Sequence, residues 1–521
     1  MNGDGDPAAA PWWRGAVVYQ IYPRSFLDTS GDGVGDLRGI TSRLDHLAWL
    51  GVDAIWISPF YRSPMADFGY DVSDYCDVDP IFGTLDDADR LIAAAHDRGL
   101  RVLVDWVPNH TSDQHPWFIE SGSSRDAPRR DWYFWRDGRG DAPPNNWWAV
   151  FGGRAWTYDD RTGQWYLHLF LPQQPDLNWG NPEVVAAMHD VLHFWLDRGV
   201  DGFRIDVAHL IGKDPALPDQ PAALGQLDRV GIHNDPRTHL LLRDIRQVVD
   251  SYPGERVTVG EVNLHETSAI RAYYGQRDEL HMAFNFLPLS IEWTAAAWRE
   301  LIETVERELG AGAWPTWVLS NHDTRRHRTR LGGDERRAGA AAILLLTLRG
   351  TPFMYQGEEL GLEDADVPEE RRIDPGGRDG CRAPIPWTPD PGHGWPVEDT
   401  WLPWPPEAGR RSVESERNDP RSMLHLYRAV LTERRTSPAL RQGEIRVVPS
   451  PEEVLAYERR AGDDLRRVLV SFADRELDVP LDQGWTASVR SAGEAPWNRR
   501  LRPHEAVVLR PGELMFRARS Q

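Results

Sequence analysis

Over the first 440 residues, short apolar runs alternate with longer stretches in which apolar side chains recur every three or four positions. Runs of four to eight residues rich in Val, Ile and aromatics read as buried strands; the 3.6-residue period reads as helices packed against them. The strand candidates are "AVVYQIYP" (16–23), "DAIWISP" (53–59), "RVLVDWV" (101–107), "GFRIDV" (202–207), "RVTVGEV" (256–262), "HMAFNF" (281–286), "TWVLSNHD" (316–323) and "TPFMYQGEE" (351–359). Between them, "TLDDADRLIAAAHDRGL" (84–100) opens with Thr84 and Asp87 at capping-box spacing. "NPEVVAAMHDVLHFWLDRG" (181–199) carries proline in its first turn. Eight such units predict an α/β fold, a (β/α)8 TIM barrel; a doubly wound open sheet is the alternative.

Two stretches break the alternation. Residues 110–179 are rich in Trp, Gly, Pro and Asn and are too long for an unstructured loop, so they are expected to form a subdomain inserted after strand 3. Beyond about residue 440 the period becomes two ("EIRVVPS", "VLAYERR", "RRVLVSF", "EAVVLR"), which predicts a C-terminal antiparallel β-sandwich domain over 441–521. The barrel then takes 1–109 and 180–440.

Charged residues sit where the apolar pattern predicts burial. "GVDGFRIDVAH" (199–209) holds Arg204 and Asp206 two positions apart, on one face of a core strand. Such groups are almost never buried unless paired. Asp105, Asn109 and His110 follow strand three, Glu261 ends strand five, and His322 and Asp323 end strand seven. In a parallel barrel these C-terminal ends converge on one rim. Two carboxylates on neighbouring strands are what glycoside hydrolysis uses, about 5 Å apart in a retaining enzyme. Arg204 would keep Asp206 ionised and oriented.

Composition narrows the partners. The net charge of −21 argues against a nucleic-acid partner. No apolar run approaches the ~18 residues of a membrane span, and the N-terminal stretch lacks the pattern of a secretory signal. Cys76 and Cys381 are not in metal-ligand spacing, and two scattered thiols fit a cytoplasmic location. "TRRHRTR" (324–330) reads as solvated surface or local pairing. The 24 tryptophans read first as core, with a sugar-binding cleft as the second reading.

"DWVPNH" (105–110), "GFRIDV" (202–207), "GEVN" (260–263) and "SNHD" (320–323) resemble the four conserved regions of the α-amylase family of glycoside hydrolases. "GVDAIWISP" (51–59) and "DFGYDVSDY" (67–75) extend the match, and "QPDLNW" (174–179) resembles the α-glucosidase and oligo-1,6-glucosidase subfamily. The resemblance implies Asp206 as nucleophile, Glu261 as acid/base and Asp323 as transition-state stabiliser. It implies a pocket for the terminal glucose lined by Asp67, Tyr70, His110, Phe170, Arg204, Val207 and His322, with Arg382 of "RDGCRAP" near the same sugar. The substrate is then a short oligosaccharide or disaccharide, cut from its non-reducing end.

"DTSGDGVGD" (28–36) offers side-chain oxygens at Asp28, Ser30, Asp32 and Asp36, resembling a calcium loop with the Val34 carbonyl as a further ligand; an ordinary Asp/Gly turn is the plain alternative. A structural Ca2+ and no organic cofactor are expected. Val207 resembles the valine of enzymes accepting α-1,6 links, whereas "AHLIGKD" and "NHDTRRH" depart from that subfamily, so maltose-type and isomaltose-type substrates both stay open. Glucosyl transfer, as in sucrose isomerases, is the rival within the enzyme class; no RLDRD-like stretch follows "NHD". An amylase-like transporter subunit would lack the carboxylates that Asp206, Glu261 and Asp323 provide, and a starch-binding module would not need them.

Overall fold

The computed structural model describes residues 10–221, 235–264, 266–481, 484–493 and 496–512. Eight parallel strands form one sheet: β1 (Val18–Ile21), β2 (Ala54–Ile57), β3 (Arg101–Trp106), β4 (Gly202–Ile205), β5 (Val257–Gly260), β6 (Met282–Ala283), β7 (Thr316–Val318) and β8 (Thr351–Tyr355). Their spatial order is β6-β5-β4-β3-β2-β1-β8-β7, the sequential order of a barrel. Seven neighbouring pairs are joined by backbone ladders. At the eighth junction the Thr316 hydroxyl accepts from the Asn285 amide (3.0 Å) and donates to the Ala283 carbonyl (3.0 Å), so one side chain links β6 to β7.

Every strand stops before the end of its apolar run. β4 ends at Ile205 and β5 at Gly260, and only one further backbone bond continues each ladder: Asp206 donates to the Trp106 carbonyl and Glu261 to the Ile205 carbonyl (2.8 Å each). The polar groups at 206, 261, 322 and 323 therefore stand just past the strands, where side chains turn from the apolar wall to the rim. Gly202 permits the close approach of β4 to β5, since a Cβ there would collide with the Val257 carbonyl.

The helices wrap the barrel with the signals read from sequence. Helix Leu85–Asp97 begins with the Thr84–Asp87 capping box formed in both directions. Helix Pro182–Asp197 has Asn181 as N-cap and proline in the first turn. Between β3 and that helix lies a short helix, Pro116–Ser121, and a three-stranded antiparallel sheet of Trp135–Arg136, Gln164–Leu167 and Trp156–Asp159. Lys213, the only lysine in the chain, is buried and fastens this segment to the loop after β4: its ammonium lies 2.9 Å from Asp176 and donates to Asn109 (2.8 Å).

After the last helix, Pro438–Gln442, five antiparallel strands form a sheet: β9 (Glu444–Val447), β10 (Val454–Ala461), β11 (Asp464–Ser471), β12 (Trp485–Arg490) and β13 (Ala506–Pro511), in the order β9-β10-β11-β13-β12. One face meets a two-stranded sheet over a core that includes Leu469, Val479 and Leu501. No helix among the described residues is long and apolar enough to cross a membrane.

"TRRHRTR" follows the local-pairing reading rather than the solvated one: Arg325 pairs with Asp364 (3.1 Å) and Arg328 with Glu363 (3.3 Å). Arg326, His327 and Arg328 are buried; Arg326 donates to the Gln356 carbonyl and lies over the Tyr355 ring, while Arg328 donates to the Gly361 carbonyl. Guanidinium groups are the donors that satisfy carbonyls where the chain turns behind the rim.

Candidate active site

The rim gathers its charged groups around two arginines. Arg204, 2% exposed, points from β4 into the barrel mouth and lies over the Trp56 ring (5.2 Å). Its Nη1 donates to Asp105 (2.9 Å) and Asp206 (2.7 Å), and its Nη2 to Glu261. Asp206 and Glu261 are thus held by adjacent nitrogens of one guanidinium. The Glu261 carboxylate also accepts from the Val207 amide (3.2 Å). That amide is aimed by a left-handed backbone at Val207 (φ 35°, ψ 46°), a conformation a β-branched residue rarely adopts. His209 Nδ1 lies 3.2 Å from the Glu261 carbonyl.

Burial pushes Asp206 up from the ordinary carboxylate range; Arg204 opposes this, while Glu261 and Asp105 add to it. Burial likewise pushes Asp105 up to about 6 against the pull of Arg204. Asp105 and Asp206 share one cation and titrate as a unit, so the pair retains a proton more readily than either alone. Arg204 supplies the pull toward the ionised form that the sequence reading gave it, with burial working against it.

Arg378 organises the opposite wall. Its guanidinium meets Asp67 (2.6 Å), Asp374 (2.6 Å) and Asp323 (2.8 Å), and lies over the Phe151 ring (5.2 Å). Arg382 is more deeply placed: it donates to the His322 carbonyl (2.7 Å) and reaches Asp374 (3.2 Å) and Asp323 (3.1 Å). Burial would raise Asp323, but His322, Arg378, Arg382 and Arg204 together hold it below the usual range. Burial drives the His322 imidazole down to about 3, so the ring is neutral at physiological pH.

His322 joins the two walls. The Tyr70 hydroxyl lies 2.7 Å from its Nε2 and 3.0 Å from Asp105, and the Gln20 amide lies 2.7 Å from its Nδ1. On the far side, Gln174 stands 3.1 Å from both Asp67 and His110, whose ring packs 5.0 Å from Phe170. The open space above these groups is about 920 Å3, bounded by Phe151, Phe170, Val207, Glu261, Asp323 and Arg378 among others.

The sequence-derived pocket set is therefore brought together: Asp67, Tyr70, His110, Phe170, Arg204, Asp206, Val207, Glu261, His322, Asp323 and Arg382 form one connected constellation. Arg378, Asp374 and Gln174 were missed, although Arg378 stands four residues before Arg382 in the same quoted stretch. No tryptophan lines the described cavity, whose aromatic faces are phenylalanines; the tryptophans near it pack beneath the rim.

The loop 28–36 lies apart from this pocket. Asp28 accepts from the amides of Ser30, Gly31 and Gly33, Asp32 from Val34, and Asp36 from Thr29 and Gly39. The oxygen donors are of the hard type calcium takes, but among the described residues no three acidic, His or Cys side chains converge as a metal site.

Comparison with known proteins agrees with this geometry. The α-amylase catalytic-domain family matches residues 20–443. A probable α-glucosidase of Rhizobium meliloti (strain 1021) is 44% identical over 495 residues, covering 89% of this chain and 90% of that protein. An oligo-1,6-glucosidase of Parageobacillus thermoglucosidasius is 38% identical over 512 residues, covering 89% and 91%. Among solved structures, the α-glucosyl transfer enzyme XgtA superposes with a TM-score of 0.90 at 41% identity, covering 96% of this chain and 100% of that one.

Proposed function

The chain belongs to the α-amylase catalytic-domain family, and from that premise we propose that it is a retaining, exo-acting α-glucosidase that releases terminal glucose from short α-linked oligosaccharides. The observation that carries the reading is the shared guanidinium of Arg204, which brings the carboxylates of Asp206 and Glu261 to neighbouring nitrogens. A retaining mechanism needs two carboxyl groups about 5 Å apart, one to attack and one to protonate. Asp206, buried and gripped by Arg204, serves as nucleophile at the anomeric carbon. Glu261, with 14% of its side chain exposed against 8% for Asp206, faces the open cavity and protonates the leaving oxygen. In the second step the Glu261 carboxylate takes a proton from water, which breaks the glucosyl–Asp206 bond.

The ionised Asp323 lies opposite, where it accepts hydrogen bonds from sugar hydroxyls as positive charge develops on the ring. Arg378, bonded to Asp67 and Asp323, offers guanidinium and carboxylate partners to the hydroxyls of a terminal sugar, which favours a chain end. Two free thiols, one buried, suit a reducing compartment.

A second reading has its own support: the likeness to a solved α-glucosyl transfer enzyme. The same glucosyl–Asp206 ester passes to a sugar hydroxyl if the acceptor outcompetes water. The test is glucose release from maltose, isomaltose, trehalose and sucrose side by side, with products followed by chromatography. Free glucose with retained configuration supports the glucosidase; preference for isomaltose assigns bond selection to Val207, and preference for maltose assigns it to the loop beyond. New disaccharides without free glucose move the protein to the transferases, and no turnover of any substrate overturns the proposal. We further propose that the loop 28–36 takes a structural Ca2+ through Asp28, Ser30, Asp32, Asp36 and the Val34 carbonyl.

A further inference from the structure

At the opposite mouth of the barrel, below the N-terminal ends of β1 and β7, lies a cavity of about 190 Å3. Its wall includes Trp13, Arg14, Arg246, Arg277, His281 and Trp314, and among the described residues no Asp or Glu lines it. In a chain with 80 acidic against 59 basic side chains, such a concentration of positive charge is unexpected by composition.

The charges are also poorly compensated. Arg246 is paired with Asp250 (2.8 Å). Arg14 and Arg277, by contrast, have no ion pair or side-chain hydrogen bond among the described residues, and the buried Arg14 Nε has no acceptor. Arg14 is held in place by two indole rings, with its guanidinium 5.4 Å from Trp13 and 5.8 Å from Trp314. Arg349, on the same Trp314 ring at 5.3 Å, spends its charge on Glu306. Burial first, then repulsion from Arg277 and Arg349, lowers the Arg14 pKa. Arg277 stands in the left-handed backbone region (φ 75°), which an arginine adopts only at some expense. His281, buried and driven down to about 3, is neutral and adds no charge of its own.

A guanidinium held between two rings and a second, unpaired one at the same cavity, with no acidic side chain in its described lining, are a recognition device for a compact oxyanion, since arginine's planar fork matches phosphate geometry. We propose that this cavity binds a phosphate-type oxyanion, free or as a small phosphate monoester, through Arg14 and Arg277, some distance from the catalytic rim. Such an anion would relieve the repulsion between the arginines and tie the segment Trp12–Arg14 to the loop around Arg277.

The test is isothermal titration of the whole protein with inorganic phosphate, at ionic strength held constant with sodium chloride. Wild type is expected to bind one phosphate saturably. Arg14→Gln and Arg277→Gln should each weaken binding tenfold or more, as loss of a charge-assisted bond implies. Arg421→Gln, a distant exposed arginine, should leave binding unchanged. Because Arg14 packs between rings and its variant is at risk of misfolding, the exposed Arg277 variant is the decisive one. Absence of saturable binding to wild type, or equal binding by Arg277→Gln, overturns the proposal. A parallel titration with a hexose monophosphate separates the sources: tighter binding lost in Arg277→Gln assigns the monoester, and no gain over phosphate assigns the free ion.

Discussion

The two halves of the catalytic pocket are each held by one arginine, and the two arginines differ in what carries them. Arg204 rises from a β-strand locked by ladders on both sides, so its guanidinium and the carboxylates it holds have little freedom. Arg378 stands on a loop after β8 and owes its position to side chains: Asp374 four residues away, Asp67 from the loop after β2, and Phe151 from the inserted segment. In the proposed mechanism the strand-borne arginine faces the bond to be broken, where misplacement of about 1 Å is ruinous. The loop-borne one, on the same proposal, faces the end of the sugar, where shape and hydrogen bonds decide what enters. The proposal thus places chemistry on rigid backbone and recognition on adaptable backbone.

That division is broken or sharpened by experiment. The largest effects belong on the Arg204 side: Asp206→Asn and Glu261→Gln should each lower kcat by about 10⁴-fold or more, with circular dichroism showing a retained fold. Folded variants with near-wild-type rates would dissolve the assignment. On the other wall, Arg378→Gln removes charge-assisted bonds to Asp67 and Asp323, and kcat/KM should fall by roughly 10²–10³-fold, mostly through KM. A loss confined to kcat would mean that both arginines serve the chemistry.

Smaller, and spread outside both walls, is the response of stability to pH. The imidazoles of His110, His322 and His327 are driven by burial to about 4, 3 and 3. Their unfolded counterparts take up protons near pH 6.5, so below that pH the unfolded state binds more protons and stability drains away. Glu358 and Glu359 behave oppositely: burial raises them to about 8 and about 7, so the folded state holds protons that the unfolded state releases above about pH 4.5. Their contribution is lost as pH rises through 7 to 8. Between about pH 4.5 and 6.5 the three imidazoles outweigh the two carboxylates, so Tm should rise with pH to a maximum near 6.5 and fall beyond it as the carboxylates alone remain. Each unmatched proton is worth about 1.4 kcal/mol per pH unit, and Glu358→Gln should flatten the alkaline limb. The smallest effect is expected at the loop 28–36, far from both arginines: chelation with EDTA should lower Tm by a few degrees, by roughly RT ln(1 + [L]/Kd) of stabilisation, with kcat nearly unchanged. An unmoved Tm would return the loop to an ordinary turn.

Much of this was legible in the sequence. The eight-strand alternation gave the barrel, and the anomaly of Arg204 and Asp206 within an apolar run marked the site, because a strand's period of two fixes which way a side chain points. Arg378 escaped notice for the complementary reason: a loop residue's direction is set by the partners it finds, which the pattern does not record. The same holds for Arg326 and Arg328, charged residues that go inward to satisfy carbonyls. Trp485–Arg490, an edge strand of the C-terminal sheet, lacked the apolar alternation of its neighbours, with only Val489 buried along it.

The hydroxyl of Thr316 has a consequence for how the molecule comes apart. A ring closed by seven ladders and one side chain has a weakest link known in advance. Amide protons flanking β6 and β7 should exchange with deuterium ahead of those in β2 and β3, and a circular permutant opened at this seam should forfeit less than one cut at any other junction.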